Sequence, residues 1–313
     1  MLRIGLVGAG ANTRSRHIPG LLAQPGVSLA AVCNRRPESG RAVAAEFSIP
    51  RVLDRWEDLV ADPGIDAVVI GTWPYLHAPI TLAALAAGKH VLTEARLAMN
   101  AAEARAMLAA RQAHPALVCQ VVPSPFGLAG DEYVKRLLSH GWLGELREAS
   151  VVHRTAALAD PDAPLHWRQD AALSGVNMLT LGILHETLSR WLPQPARVLA
   201  QCHAFTAERL DPASGMRRRV GSPDSVQVLA QLPDGGQVCY QLSGATPFGQ
   251  EAFIRLYGTG GALEYDLGKD ELRGASASRG HAPGGKLEPL PIPDDLRGGW
   301  RVEEDFVRSI REG

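Results

Sequence analysis

The chain has 313 residues, 46% of them apolar and 21% charged, with a formal net charge of −1. That length exceeds one ordinary core and suits two domains, and the composition is that of a folded globular protein rather than a disordered one. The near-zero charge supplies no field for nucleic acid or an anionic membrane surface, and no apolar run approaches the roughly 18 residues of a spanning helix.

In chain order, the first third alternates short β-rich runs with helical patterns. The strand-like runs are residues 2–7, 27–33, 67–70, 90–93 and 117–121, with helical stretches at 18–24, 39–47, 76–87 and 101–113. Nearly continuous apolar strands separated by helices predict a parallel sheet covered on both faces. The chain runs straight into its first strand without a secretory pattern, so the cytoplasm is the expected compartment. After Val122, Pro123-Ser124-Pro125 breaks the alternation. A helix at 131–140, a strand at 146–153, a Pro-rich stretch and a helical run over 171–191 come next. From 197 to 265 β-like runs succeed one another, with Asp234-Gly235-Gly236 as a hairpin turn between 226–232 and 237–242. The expected architecture is an α/β Rossmann domain over residues 1–122, then an α+β domain with an open, mainly antiparallel sheet over 123–313. Arg217-Arg218-Arg219 reads as a solvated loop, and the Gly/Ser/Ala-rich residues 274–285 as a mobile one. Cys33, Cys119, Cys202 and Cys239 are far apart and form no C-x-x-C pair. Three lie in apolar runs, so neither a metal site nor a disulfide framework is expected.

Gly8-Ala9-Gly10-Ala11-Asn12-Thr13 follows the first strand and opens toward a helix. The first glycine permits a tight turn, and the second lets backbone approach a pyrophosphate at the helix N-terminus. Thr13 stands where a full G-x-G-x-x-G has its third glycine, which loosens close helix–strand packing. The second strand ends in Cys33-Asn34-Arg35-Arg36-Pro37, without the carboxylate that usually accepts from the ribose hydroxyls of NAD. A guanidinium there can grip the 2′-phosphate of NADP bidentately, so NADP is the expected cofactor with NAD as the alternative. The plainer reading makes Arg35 and Arg36 exposed turn residues.

Residues 7–20, then Thr72-Trp73-Pro74-Tyr75-Leu76-His77, then Ala87-Gly88-Lys89-His90-Val91-Leu92-Thr93-Glu94-Ala95-Arg96-Leu97-Ala98, resemble the Gfo/Idh/MocA oxidoreductases. Gly141-Trp142-Leu143-Gly144-Glu145-Leu146, Trp167-Arg168 and Leu256-Tyr257-Gly258-Thr259-Gly260-Gly261 extend the similarity over nearly the whole chain. The resemblance implies a two-domain oxidoreductase, a small-molecule substrate lying between the nicotinamide and the sheet domain, and a homodimer or homotetramer. It assigns Thr72, Trp73, His77 and Glu94 to the cofactor side. Members usually continue past a helix such as 299–311 and return to the first domain, and that closing segment is expected to be missing here, which would leave apolar surface exposed.

Departures from the family pattern are specific. Ala95 stands at the position of the family's Glu-Lys-Pro lysine, with Arg96 where proline is expected. The family's helix bearing Asp-x-Gly-x-His aligns with Thr180 and Leu184, and His185 comes one residue late. One residue is about 100° on a helix, so His185 either enters the cleft through a rotated or bulged helix or is a packing or surface residue. Candidates for the missing acid–base work are His185, His166 and Glu94, with His77 and His153 as further titratable groups. Arg96, Trp167, Arg168 and Asn177 are candidate substrate contacts. The leading reading is an NAD(P)-dependent oxidoreductase moving a hydride to or from a small polyol- or sugar-like compound. The alternative is a binding protein that senses NADP or a metabolite, or serves a partner enzyme, without turnover.

Overall fold

A computed structural model describes residues 1–123, 128–280 and 284–313, and divides the chain into two units. The first comprises Met1–Pro123 together with Ala172–Val176 and Arg301–Gly313; the second comprises Ser124–Ala171 and Asn177–Trp300. Of the expected break at Pro123-Ser124-Pro125, the last two residues lie outside the described residues.

Six strands form the first unit's sheet: β1 (Leu2–Val7), β2 (Val27–Cys33), β3 (Val52–Leu53), β4 (Ala67–Ile70), β5 (His90–Thr93) and β6 (Cys119–Val121). They pair in the order β3-β2-β1-β4-β5-β6, and every pair is parallel. The order reverses between β1 and β4, and an open α/β sheet holds its ligand outside the carboxyl ends of the strands at such a point. The connecting helices are α1 (Ile18–Leu22), α2 (Pro37–Phe47), α3 (Trp56–Ala61), α4 (His77–Ala86) and α5 (Ala101–Ala113). Strand β3 and helix α3 escape the sequence reading, because two strand residues and six helical ones are too short to show a period. β4 is buried at all four positions, as a central parallel strand covered on both faces should be. Val68, Ile70, Ile80, Leu85 and Val91 lie in one apolar cluster with Leu59 and Ile65.

The helix expected over 18–24 begins earlier and opens with a π turn, Thr13–His17, in which the Ile18 N–H reaches the Thr13 carbonyl. Pro19 has no N–H for the carbonyl four residues back and its ring crowds that carbonyl, which a widened turn relieves.

The second unit begins with α6 (Asp131–Ser139) and β7 (Leu146–Arg154). The helical run expected over 171–191 is two short helices, α7 (Ala171–Ser174) and α8 (Leu181–Ser189). Gly175 and Leu179 between them take positive φ of 65° and 55°, which no helix accommodates. β8 (Arg197–His203), β9 (Glu208–Leu210), β10 (Arg217–Arg219), β11 (Ser225–Gln231), β12 (Gln237–Ser243), β13 (Glu251–Gly258), β14 (Gly261–Asp266), β15 (Glu271–Ser276) and β16 (Glu288–Pro289) complete the strands. Eight of them form a sheet in the order β16-β15-β14-β13-β7-β12-β11-β8, antiparallel except where β12 joins β7. This is the expected open, mainly antiparallel sheet, and the hairpin at Asp234 joins β11 to β12. Val151, Tyr240, Leu242, Ile254 and Leu256 bury one face against α6 and α8 through Val134, Leu184 and Leu188.

Two expected loops carry strand: residues 274–276 of the first and all of 217–219. Residues 274–276 end β15, and of the remainder 281–283 lie outside the described residues. The arginine run is solvated as expected, yet it forms β10 of a two-stranded ribbon with β9. There Arg218 pairs with Asp170 at 3.0 Å.

Helix α9 (Val302–Glu312) packs with the first unit, not with residues 123–300 beside which the sequence places it. It buries Val302, Glu303, Phe306 and Val307, and Gln120 donates to the Val302 carbonyl at 3.0 Å.

Candidate active site

The glycine loop lies at the carboxyl end of β1, where the parallel order reverses. Gly8 takes φ +84°, and a Cβ there would come within 2.7 Å of Thr72, so only glycine serves. At Gly10 an added Cβ would meet nothing within 4 Å, so the loop faces open volume at the start of a helix. The first amides of that helix have no intrahelical acceptor and point at whatever fills the volume. Thr13 does not loosen the packing as its size suggests. It is 2% exposed and donates to the Gly8 carbonyl at 3.2 Å, and Gly71 opposite supplies the room. A Cβ at Gly71 would lie 2.1 Å from Thr13 Oγ1.

At the end of β2, Asn34 turns inward. Its side chain accepts from the Ala9 amide at 2.7 Å and donates to Ser39 at 2.9 Å, so it braces the loop. Arg35 and Arg36 are exposed, with the Arg35 guanidinium 4.5 Å from the centre of the Trp73 ring. The Trp73 stack fixes where Arg35 points.

Buried His77 links the two loops that follow β4 and β5. Its Nδ1 lies 2.7 Å from the Arg96 carbonyl and its Nε2 2.9 Å from the Thr72 carbonyl. Burial, only partly offset by those carbonyls, holds its pKa below the ordinary value. The Arg96 side chain donates to the Ser174 carbonyl at 3.0 Å, and the Ala95–Arg96 peptide is cis. Lys89 lies at the other end of β5, donating to the carbonyls of Asp62 and Ile65, far from any role as substitute for the missing lysine.

Glu94 sits at the tip of β5 with its side chain 14% exposed. Asn12 donates to its carboxylate, which also lies 2.9 Å from Nε2 of His17. His17 is wholly buried, and its Nδ1 is 2.5 Å from Glu303 on α9. Burial opposes charge on this ring, but the hydrogen bonds to Glu303 and Glu94 outweigh it and raise its pKa to about 9. Burial likewise opposes charge on Glu94, yet the bonds from His17 and Asn12 hold its pKa below the ordinary value. Sequence reasoning singled out neither His17 nor Glu303. The two are 286 positions apart, and no local pattern signals such a pair.

In the second unit, His166, Trp167 and Arg168 form one cluster. The Arg168 guanidinium lies 4.2 Å from the Trp167 ring centre, and His166 Nδ1 accepts from the Arg168 amide at 3.3 Å. Burial and the neighbouring Arg168 charge hold the His166 pKa below its usual value. Asn177 Oδ1 and Thr180 Oγ1, before α8, are buried and make no hydrogen bond among the described residues. His185 is not brought to either set. Its Nδ1 is 2.9 Å from the Tyr240 hydroxyl and its Nε2 3.2 Å from Gln194, so it packs α8 onto the sheet. Of the two placements open for His185, this geometry is the packing one.

Among the described residues, no group of His, Cys, Asp or Glu is arranged to hold a metal, and no helix is long and apolar enough to cross a membrane.

A family model described as an oxidoreductase family with an NAD-binding Rossmann fold matches residues 2–141, and the Gfo/Idh/MocA C-terminal domain matches residues 132–264. The chain is 30% identical over 267 residues to 1,5-anhydro-D-fructose reductase of Ensifer adhaerens, covering 84% of this chain and 75% of that protein. A levoglucosan dehydrogenase solved with NADH and L-sorbose superposes with a TM-score of 0.84 at 22% identity, over 100% of this chain and 90% of that one. A biliverdin reductase from Synechocystis, solved with biliverdin and NADP+, gives 0.73 at 20% identity, over 99% and 89%. Both solved structures share the fold. Oxidoreductase activity dependent on NAD(P) is the reading these matches support, and the alternative of binding without turnover is not favoured.

Proposed function

Because the chain belongs to the Gfo/Idh/MocA oxidoreductases, we propose that it uses NADP in preference to NAD to move a hydride to or from a small polyol- or sugar-like substrate. The observation that carries the cofactor choice is the end of β2. Asn34 is committed to Ala9 and Ser39, it stands in the sequence where an Asp or Glu would accept from the ribose, and two exposed guanidiniums follow, one seated on Trp73. A 2′-phosphate is the ligand group that pairs with such a fork.

The dinucleotide fits the open volume at Gly10, and when bound it supplies the hydride-transferring ring. The chain's own residues then bind and orient. The amides of Ala11, Asn12 and Thr13 receive the diphosphate, and Arg35 and Arg36 take the 2′-phosphate. Thr72, Trp73 and His77 shape the wall, and Glu94 orients the nicotinamide. The carbonyl oxygen of the oxidised substrate also needs a hydrogen-bond donor to polarise it, and Ala95 offers none. His166 is that donor in our reading. Its Nδ1 is occupied by the Arg168 amide, so the neutral ring presents Nε2–H as a donor. Asn177, through its unpaired Oδ1, and Arg96, Trp167 and Arg168 supply further substrate contacts. His185, with both nitrogens engaged, keeps only a supporting place in this scheme. We place the reaction in the cytoplasm, in a homodimer or homotetramer. Val198, Leu199 and Leu229, exposed on β8 and β11, support the assembly.

Calorimetric titration of the wild type and of an Arg35→Ala, Arg36→Ala double variant with NADPH and NADH tests the cofactor reading. Charge-assisted hydrogen bonds are worth roughly 1.5–3 kcal/mol, so NADPH should weaken at least about tenfold while NADH changes little. Equal losses for both would remove the basis for NADP.

A further inference from the structure

The row Asn12, Glu94, His17, Glu303, buried at His17 and Glu303 and partly so at the other two, joins four separate pieces of the first unit: the glycine loop, the tip of β5, the π turn and the C-terminal helix. Its middle member is 0% exposed and touches two carboxylates, one on each ring nitrogen. A packing histidine needs one donor and one acceptor partner. A ring facing two carboxylates is satisfied only when both nitrogens donate, that is, as imidazolium. Both carboxylates are themselves largely buried, Glu303 at 3% and Glu94 at 14% side-chain exposure.

We propose that His17 is a positioning residue of the dinucleotide site: paired with Glu94 and Glu303, it holds the Glu94 carboxylate fixed beside Asn12, and so makes the C-terminal helix part of that site. The inference rests on the cofactor reading of the glycine loop. With His17 protonated, the three groups sum to a single negative charge. Loss of the proton leaves two buried carboxylates without their shared cation, directly behind the loop that receives a diphosphate. Like charges in a poorly solvated setting repel, and relief comes by moving Glu94 or protonating it. The first change frees the Asn12 side chain and the second weakens its bond, and either alters the first turn of the helix. The charged groups facing His17 are Glu94 from β5 and Glu303 from α9, and these two, opposing its burial, hold the ring protonated to about pH 9.

The test follows the ring and the affinity separately. Spectra of the cofactor-free chain with ¹⁵N-labelled histidine, assigned with a His17→Gln variant, give the titration midpoint of His17. Calorimetry gives the affinity for NADPH and NADH from pH 6 to 10. The ring should titrate near pH 9, and affinity should stay level to about pH 8 and then fall by up to about tenfold per pH unit, the limit for one linked proton. Glu303→Gln should lower both midpoints together, and Glu303→Asp, which keeps the charge, should restore them. An affinity that stays level through pH 10 while the ring titrates overturns the proposal. So does a ring that titrates at the ordinary 6.5 or below, or a Glu303→Gln protein whose ring midpoint falls without moving the affinity profile. If Glu303→Gln fails to fold, the wild-type comparison alone decides. Absence of dinucleotide binding at every pH would overturn the cofactor reading itself, an outcome distinct from a level profile.

Discussion

Gly10→Ala separates a glycine that shapes the fold from one that leaves room for a ligand. A Cβ at Gly10 meets no atom within 4 Å, and the residue does not take a positive φ. The folded protein therefore accepts alanine without strain. Fewer conformations in the unfolded chain should even add about 0.4–1 kcal/mol of stability. The methyl group nevertheless stands in the volume assigned to the diphosphate. Overpacking a close contact costs about 1–3 kcal/mol, which converts to a loss of roughly 5- to 150-fold in NADPH affinity. Gly71→Ala is the contrast. Its Cβ would lie 2.1 Å from Thr13 Oγ1 and 2.4 Å from the Gly8 carbonyl, so the loop itself must shift. Thermal unfolding and calorimetric titration of both variants should show Gly10→Ala stable but weak in binding, and Gly71→Ala impaired in both. A Gly10→Ala protein that binds NADPH like the wild type would refute the placement of the diphosphate.

Further outcomes concern His17, His185 and Glu94. The His17 pKa is raised in the folded state, so its contribution to stability is complete below pH 6.5 and is lost as pH rises through about 9. A shift of that size amounts to about 3 kcal/mol, lost across that window in denaturant titrations at stepped pH. His77, His90, His153 and His166 have lowered values and titrate below it. A stability that is level from pH 6.5 to 9 would contradict the buried imidazolium. His185→Ala should cost about 1–3 kcal/mol of stability by stranding the Tyr240 hydroxyl, with kcat retained once the protein is folded. A large fall in kcat in a stable variant would instead return His185 to the chemistry. Glu94→Gln should remove the step in NADPH affinity above pH 8 by taking away one of the two carboxylates that charge His17. An unchanged step, read by calorimetry, would count against the pairing.

The parallel order of the first sheet was legible because buried strands announce themselves as apolar runs, and β4 and β5 lie where those runs predict. Strand β3 and helix α3 were not, since too few residues carry their period. The turn at Gly8 was legible because its positive φ suits only glycine, and the exposed pair Arg35 and Arg36 because it directly follows the second apolar run. Thr13 was misjudged for want of its partner. Its methyl and hydroxyl fit only because Gly71, 58 positions later by the numbering, leaves the space. The face of His185 followed from helical geometry, but the choice between cleft and sheet rested on Tyr240, which belongs to a strand far along the chain.

By itself, the amino-acid sequence determined the alternation of elements, the glycine turn, the cationic end of β2 and the absence of the usual lysine, because each depends on neighbours within a few residues. Tertiary structure alone decided that α9 packs with the first unit and brings Glu303 onto His17. That contact depends on where two helices lie in space, and it gathers around one buried ring the two carboxylates that outweigh the opposition of burial to its charge.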